Sequence, residues 1–262
     1  MSCTEKLPFL LKSLRLSAIA NQWQERATLA EKHHMSYGAF LADVMSLELT
    51  LREQRRLERA YKNAKLPLGK TLANFDFATT TSVNAANISR MAQDRQWVDD
   101  AENLIILGPS GVGKTHMAAA IGYGLLELGV KVFFSATTFL VQTLQQAKAE
   151  LKLKAFLERL AQYQLIILDD LGYVKKSEQE TSVLFELIAH RYESGSLLIT
   201  ANQPFADWET LFTDKVMAVA AVDRIVHHAT IIKVDGSSYR VNCAKQRNRL
   251  NEEGGAINKT ER

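Results

Sequence analysis

Gly108-Pro-Ser-Gly-Val-Gly-Lys-Thr115 is the most informative stretch of the chain, because it matches the pattern G-x-x-x-x-G-K-[ST]. Glycines in such a loop let backbone N–H groups turn inward around phosphate oxygens. An apolar run at residues 104–107 enters the loop, and a helical stretch from about Thr115 to Leu128, closed by Gly129, leaves it. A strand, a glycine-rich loop and a helix in this order predict a phosphate-binding loop.

The same stretch predicts which groups meet a nucleotide. Lys114 is placed to reach the β- and γ-phosphates of ATP, and the Thr115 hydroxyl is placed to ligate Mg²⁺. The helix N-terminus adds about half a positive charge. His116 comes next on the helix, where we expect packing rather than catalysis. The predicted nucleotide contacts are Gly108, Pro109, Ser110, Gly111, Val112, Gly113, Lys114, Thr115 and His116.

A second element, Leu165-Ile-Ile-Leu-Asp-Asp170, is an apolar run that ends in two carboxylates. Ligands of open α/β sheets bind at the carboxyl ends of the strands, where these two acids would lie. Asp169 is therefore predicted to hold Mg²⁺, directly or through water. Asp170 is predicted to orient or deprotonate the attacking water.

A third element, Ser196-Leu-Leu-Ile-Thr-Ala-Asn-Gln203, is an apolar run that ends in amides. The Asn202 side chain could hydrogen-bond the attacking water or the γ-phosphate. The alternative is a turn-forming asparagine ahead of Pro204. Together with the other two motifs, this element favours Asn202 as a catalytic residue.

Short apolar runs alternate with helical stretches through the central region. This alternation is typical of a parallel sheet covered by helices on both faces. We therefore predict an α/β fold with five strands, at residues 104–107, 130–134, 165–168, 197–200 and 230–234.

The N-terminal region is predicted to be helical, with a long helix that Ser36 caps and that ends near Asn63. The end of this helix carries five cations at i, i+3, i+4, i+7 and i+10, which places them on one face. A phosphate backbone would relieve their mutual repulsion, whereas the alternative is a solvated helix face. The predicted DNA-binding residues are Arg52, Arg55, Arg56, Arg59 and Lys62.

Charge is distributed unevenly along the 262 residues, whose formal net charge is +3. Residues 1–66 carry 11 Lys and Arg against 7 Asp and Glu, residues 67–239 carry 15 against 19, and residues 240–262 carry 6 against 3. Basic ends on an acidic body suggest a polyanionic partner.

Several classes of protein are disfavoured by composition. The two cysteines lack the spacing of a disulfide scaffold or zinc finger, and they fit a reducing cytosol. Neighbouring residues on a helix do not face one ligand together, and no carboxylate constellation supports a metal at His33-His34 or His227-His228, so we expect none there. The apolar runs are shorter than a membrane helix and a signal peptide is not evident, so we expect a cytoplasmic protein that does not bind membranes.

The three motifs in this order resemble the AAA+ ATPases, and most closely the bacterial branch of IstB-type transposition helper proteins and DnaC-type helicase loaders. The resemblance covers nearly the whole chain. It also rests on residues 75–77, on Asp223-Arg-Ile-Val-His-His228 and on Gly236-Ser-Ser-Tyr-Arg240. The last two stretches are more similar to the IstB type.

The resemblance implies a strand order of 5-1-4-3-2. It implies that Arg224 is an arginine finger, which stabilises charge on the transferred phosphoryl group in the site of a neighbouring subunit. Without the resemblance, Asp223 would offer Arg224 a local salt bridge. The resemblance also suggests that residues 75–77 help to form the nucleotide pocket. About 28 residues follow the last predicted strand, too few for a helical lid domain, so we expect none.

The predicted domains are a helical N-terminal domain at 1–66 that binds DNA or a partner, a P-loop AAA+ core at 67–240 and a basic C-terminal tail at 241–262. Most AAA+ proteins place Glu where this chain has Asp170, which is shorter by one methylene. We therefore expect ATP hydrolysis that is slow, or that depends on assembly or on DNA.

The function implied is an ATP-dependent regulator that assembles on double-stranded DNA through non-specific backbone contacts and recruits or stimulates a transposase. It would self-assemble into an oligomer that hydrolyses ATP at subunit interfaces. Two alternatives are a helicase loader that acts on a replicative helicase and a nucleotide-gated binding protein that scarcely hydrolyses ATP. A metabolic P-loop kinase agrees less well with the basic helix and the Asn202 strand.

Overall fold

The computed structural model describes residues 3–77, 84–172, 177–204, 207–208, 214–236 and 238–239. The internal contacts divide the chain into two units, Met1–Ala60 and Tyr61–Arg262. The boundary between the units lies inside a helix, whereas the sequence analysis placed it after residue 66. The predicted tail at 241–262 lies outside the described residues, and the domain roles stay predictions.

Three helices build the N-terminal unit: α1 (Cys3–Ser13), α2 (Ser17–Lys32) and α3 (Tyr37–Ala64), which continues into the second unit. Ser36 caps α3 as predicted, because its hydroxyl accepts a hydrogen bond from the backbone N–H of Ala39 at 3.2 Å. The small apolar core of this unit consists of Leu11, Ile19 and Val44.

Glu48 is a buried acid that joins two of these helices. Its carboxylate accepts hydrogen bonds from the backbone N–H groups of Ala18 (2.8 Å) and Ile19 (3.2 Å), at the start of α2, and from Arg52 Nε (2.9 Å). Burial raises the pKa of Glu48, but the hydrogen bonds from Arg52 and from the two backbone groups outweigh burial and hold this pKa below its ordinary value. Glu48 thus supplies the negative charge that a helix N-terminus favours.

A parallel five-stranded sheet organises the second unit: β1 (Asn103–Leu107), β2 (Val132–Ala136), β3 (Leu165–Leu171), β4 (Ser196–Ala201) and β5 (Ala229–Lys233). The strand order is β2-β3-β4-β1-β5, which confirms the predicted order 5-1-4-3-2. The strand ends differ from the predicted ones by up to three residues. The largest difference is at β3, which continues through both predicted acids because its pairing with β4 resumes at Leu171 after a shift of register.

Helices cover both faces of this sheet, as predicted. On one face α6 contacts four strands and packs against α4, whereas α7, α9 and α10 form the layer on the other face. Among the described residues, no helix has both the length and the apolar composition needed to span a bilayer. The helices of this unit are α4 (Ala85–Gln93), α5 (Gln96–Asp99), α6 (Lys114–Glu127), α7 (Thr137–Ala149), α8 (Leu153–Leu160), α9 (Glu178–Arg191) and α10 (Lys215–Val226), with a 3-10 turn at Leu72–Asn74.

Arg191 ties together the starts of two strands. It is only 2 % exposed, and its guanidinium donates to the backbone oxygens of Tyr163 (2.7 Å), Gln164 (2.7 Å) and Ser196 (3.1 Å). The first two residues precede β3, and Ser196 opens β4. Burial lowers the pKa of Arg191 to about 10, so the group is still a charged donor at neutral pH.

We expect Arg191→Met to destabilise the second unit by about 3 kcal/mol, because three carbonyls lose a charged donor and each buried group left unpaired costs about 1–3 kcal/mol. Part of that cost is offset, since burying the guanidinium is itself unfavourable. The measurement is the midpoint of urea unfolding. Arg159→Met is the matched control at an exposed arginine, and a shift no larger than the control's would contradict the prediction.

Candidate nucleotide site

The predicted phosphate loop connects β1 to α6, and α6 begins at Lys114. Gly111 and Gly113 have left-handed backbone conformations, with φ of +88° and +95°. A Cβ at Gly113 would lie 2.7 Å from Cε2 of Phe75, so a side chain at this position would force the aromatic ring to move. The loop brings the N-terminus of α6 to the carboxyl edge of the sheet, where α/β proteins bind phosphate.

Lys114 is a buried cation held against this loop. It is 7 % exposed, and its Nζ donates to the backbone oxygens of Gly108 and Pro109, both at 2.8 Å. A charged donor binds a phosphate oxygen more strongly than it binds a neutral carbonyl. The loop therefore holds an ammonium group that can exchange carbonyl partners for phosphate.

A cavity of about 310 Å³ adjoins the loop, in the size range of small-molecule sites. The predicted contacts at residues 110–116 line it together with the predicted catalytic Asp170. Its lining does not include the predicted residues Gly108, Pro109, Asp169 and Asn202. The resemblance suggested that residues 75–77 help to form this pocket, and Phe75 and Asp76 do line it. The sequence analysis did not identify four other lining residues: Lys70, Asn74, Thr200 and Tyr239. The lining residues are Lys70, Asn74, Phe75, Asp76, Ser110, Gly111, Val112, Gly113, Lys114, Thr115, His116, Asp170, Thr200 and Tyr239.

Thr200 connects the two predicted acids. Its hydroxyl accepts a hydrogen bond from the backbone N–H of Asp170 at 2.8 Å and donates one to Oδ1 of Asp169 at 2.7 Å. The backbone of Asp170 has a φ of +63°, a left-handed conformation that is uncommon for a residue other than glycine. The hydrogen bond that the Asp170 N–H donates to Thr200 supports this unusual turn in β3, and the bond that Thr200 donates holds the Asp169 carboxylate beside β4.

Asn202 follows the last residue of β4, which lies between the strand that leads to the phosphate loop and the strand that carries the acids. Its Oδ1 atom is buried and has no hydrogen-bond partner among the described residues. A buried amide oxygen without a partner costs free energy, so this atom would gain from a donor such as water. The structure places Asn202 at the same edge of the sheet as the acids, and its catalytic role stays a prediction.

Aromatic contacts join the segment before the core to the loop helix. The Phe75 ring packs edge-on against His116, with centroids 5.1 Å apart, and against Phe77, with centroids 4.6 Å apart. His116 Nε2 lies 2.8 Å from the backbone oxygen of Thr71. The segment at 71–77 therefore forms one wall beside the phosphate loop.

Arg224 lies at the opposite edge of the sheet. It is near the end of α10, and the residue after it, Ile225, accepts a hydrogen bond from the side chain of Asn103, the first residue of β1. The phosphate loop begins after the last residue of β1, about 13 Å away at about 3.3 Å per residue. Arg224 donates to the backbone oxygen of Ala220 at 2.8 Å and lies over the Phe185 ring. The structure therefore keeps Arg224 away from the site of its own chain.

Close to Arg224, the structure corrects the expectation that no carboxylate accompanies His227 and His228. Glu193 lies with them, so that one potential ligand atom from each residue falls within 4.8 Å of the others. His227 Nδ1 is 2.9 Å from the hydroxyl of Tyr192. One nitrogen of this exposed cluster therefore already has a hydrogen-bond partner. The sequence analysis missed Glu193 because it lies over thirty residues away in the sequence.

Two cations of α3 form ion pairs with carboxylates, and the sequence analysis had not considered one of these carboxylates, Glu48. Arg52 pairs with Glu48 at 2.9 Å, and Arg56 pairs with Glu53 at 2.6 Å. In the described part of the chain, carboxylates form no ion pair with the other three members of the predicted DNA-binding set. The predicted mutual repulsion is therefore partly neutralised, and the cations that keep their full charge for another partner are Arg55, Arg59 and Lys62.

Comparison with protein families identifies one match over most of the chain. The family model described as IstB-like ATP binding protein matches residues 9–247 of this chain. An insertion sequence ATP-binding protein of Sinorhizobium fredii is 45 % identical over 93 % of this chain and 82 % of its own length. The ATP-binding protein of insertion sequence IS21 from Pseudomonas aeruginosa is 36 % identical over 90 % of this chain and 89 % of its own.

Solved structures share the fold at lower identity. The DnaC helicase loader aligns with a TM-score of 0.54 and 20 % identity, over 64 % of this chain and 97 % of that one. AMPPCP-bound DnaA from Aquifex aeolicus aligns with a TM-score of 0.54 and 17 % identity, over 71 % of this chain and 56 % of that one. These likenesses confirm the predicted P-loop AAA+ architecture.

Proposed function

Because the chain belongs to the family of IstB-like ATP-binding proteins, we propose that it is an ATPase that assembles on double-stranded DNA and recruits or stimulates a transposase in the bacterial cytoplasm. The observation that carries the proposal is the single cavity that joins the loop residues 110–116 to Asp170. That cavity holds both a phosphate-binding loop and an acid suited to activate water.

The loop residues fit a nucleoside triphosphate with Mg²⁺. Lys114 would exchange its two carbonyl partners for the β- and γ-phosphates, and the backbone of Gly111 and Gly113 would surround the phosphate oxygens. The Thr115 hydroxyl and the Asp169 carboxylate are oxygen donors of the kind that Mg²⁺ prefers, and they would hold the ion. When bound, Mg²⁺ neutralises charge on the phosphates.

Asp170 would activate the attacking water, because it lines the cavity together with Thr115. Thr200 acts as a positioning residue, since its hydroxyl holds the backbone of Asp170 and the carboxylate of Asp169 at once. Asn202 offers a buried acceptor that can orient the same water. These assignments support slow hydrolysis that becomes efficient when an assembled neighbour adds a further charge.

That further charge comes from Arg224 of an adjacent copy of the chain. Within one chain, Arg224 lies at the edge of the sheet remote from the phosphate loop. Its guanidinium is held by the Ala220 carbonyl and the Phe185 ring, contacts that are weak enough to exchange for a phosphate. ATP would thereby favour oligomers in which one chain completes the site of the next.

DNA is the partner that the cations on α3 support. A face with Arg55, Arg59 and Lys62 suits backbone phosphates and carries no base-reading pattern, so binding would be non-specific. Relatives named for insertion sequences favour a transposase over a replicative helicase as the protein partner. Capture of purified helicase in preference to purified transposase would reverse that order.

The DNA proposal is tested with Arg55→Ala/Arg59→Ala/Lys62→Ala. We expect weaker binding to random duplex DNA at low salt, and a dependence of log K on log salt that is shallower by about 2–3, since each phosphate contact contributes about 0.9. The measurements are duplex affinity across a salt series and ATP turnover with and without duplex.

The matched control is Lys6→Ala/Lys12→Ala/Lys32→Ala, which removes the same charge from α1 and α2. If both triple variants lose affinity equally, net charge rather than the α3 face governs binding. Wild-type affinity in the α3 variant would overturn the assignment of this face to DNA.

A further inference from the structure

The residues after β5 return to the phosphate loop. Val234 donates its backbone N–H to the Leu107 carbonyl at 2.7 Å, so the chain still runs beside the end of β1 at that point. Beyond it, the backbone N–H of Tyr239 donates to the Gly111 carbonyl at 3.1 Å. A Cβ at Gly111 would collide with the hydroxyl oxygen of Ser238. Ser238 and Tyr239 are thus fixed directly on the middle of the loop.

Tyr239 also lines the cavity. It is 52 % exposed, so about half of its accessible surface is left for a ligand to cover. A planar ligand that covered an aromatic ring would remove apolar surface from water. The backbone that carries this ring is already anchored to Gly111, so a ligand would not have to order it.

The lining residues of the cavity can be divided between the phosphates and the base of a nucleotide. Residues 110–115 account for the phosphates, so the base must meet the remaining lining groups. Among these, the two six-membered aromatic rings belong to Phe75 and Tyr239. Tyr239 is the lining aromatic with the larger exposed surface.

We infer that Tyr239 stacks on the purine base of bound ATP, with its backbone anchored to Gly111. The inference rests on the proposed ATPase function and deepens it. The sequence analysis used the stretch at 236–240 only as a mark of resemblance. This inference gives Tyr239, which follows the last strand, a direct role in binding the nucleotide.

The test compares two ligands that share the phosphates but not the base. ATP and inorganic tripolyphosphate are titrated, in the presence of Mg²⁺, into the full-length wild type, Tyr239→Ala and Tyr239→Phe. We expect Tyr239→Ala to weaken ATP binding about 10- to 100-fold, the usual effect of removing one stacking ring, and to leave tripolyphosphate binding unchanged. Tyr239→Phe keeps the ring, so it should bind both ligands as the wild type does.

Two results would overturn the stacking role. Equal weakening of ATP and tripolyphosphate would mean that Tyr239 only supports the loop through Gly111, and unchanged ATP binding would mean that the ring does not meet the base. The variant Lys114→Ala distinguishes a failure of the stacking role from a failure of the proposed ATP-binding function. If Lys114→Ala binds both ligands as the wild type does, the ATP site itself is wrong; if it loses both while Tyr239→Ala retains ATP, only the stacking role falls.

Discussion

Lys114→Ala is expected to weaken ATP binding by about 100-fold or more and to abolish turnover. The Lys114 ammonium is buried at the phosphate loop, with Nζ 2.8 Å from two loop carbonyls. Hydrogen bonds that involve a charged group contribute about 1.5–3 kcal/mol each, so the loss of two phosphate contacts corresponds to a change of that size. Calorimetric titration with ATP and steady-state phosphate release are the measurements.

A matched control for this variant is Lys131→Ala, at an exposed lysine just before β2 in the same unit. It changes the net charge by the same amount and should leave both measurements at the wild-type value. Thermal unfolding shows whether each variant is still folded. ATP affinity within a few-fold of wild type in a folded Lys114→Ala protein would contradict the assignment of the loop to phosphate.

The sequence predicted the parts of this site that depend on local pattern. Residues 108–115 specify a strand, a turn with left-handed glycines and a helix within a few positions, so the loop was found without knowledge of the rest of the fold. The apolar run before Asp169 and Asp170 placed the acids at a strand end in the same way. The strand order, by contrast, came from resemblance to a family, because alternation alone does not order parallel strands.

Other contacts could not be predicted from the sequence, because they join residues that are distant along the chain. Thr200 was read as one more residue of an apolar strand, and its bonds to Asp169 and Asp170 depend on the pairing of β3 with β4. Glu48 was overlooked as the partner of Arg52, since burial against the start of α2 gives it that role. Both are short polar bridges that only the tertiary structure defines.

Arg224→Ala is expected to lower ATP turnover of the assembled protein by about a thousandfold or more, the usual contribution of an arginine finger. ATP binding by single chains should be unchanged, because Arg224 lies at the opposite sheet edge from the phosphate loop. Turnover and ATP affinity are measured on the same preparation. Arg95→Ala removes the same charge at an exposed arginine of the same unit, which pairs with Asp99 at 2.7 Å, and should have little effect on either quantity.

A mixture of two inactive variants shows in which chain Arg224 acts. Asp170→Asn chains keep Arg224 but lack the acid, and Arg224→Ala chains keep the acid but lack the arginine. If Arg224 serves a neighbour, some interfaces of a mixed oligomer contain both intact residues, so the mixture should recover part of the wild-type rate that neither variant shows alone. Mixed oligomers that form but stay inactive would contradict action between chains. Because about 13 Å separates the two ends of β1, Arg224 would then have only a structural role at the end of α10.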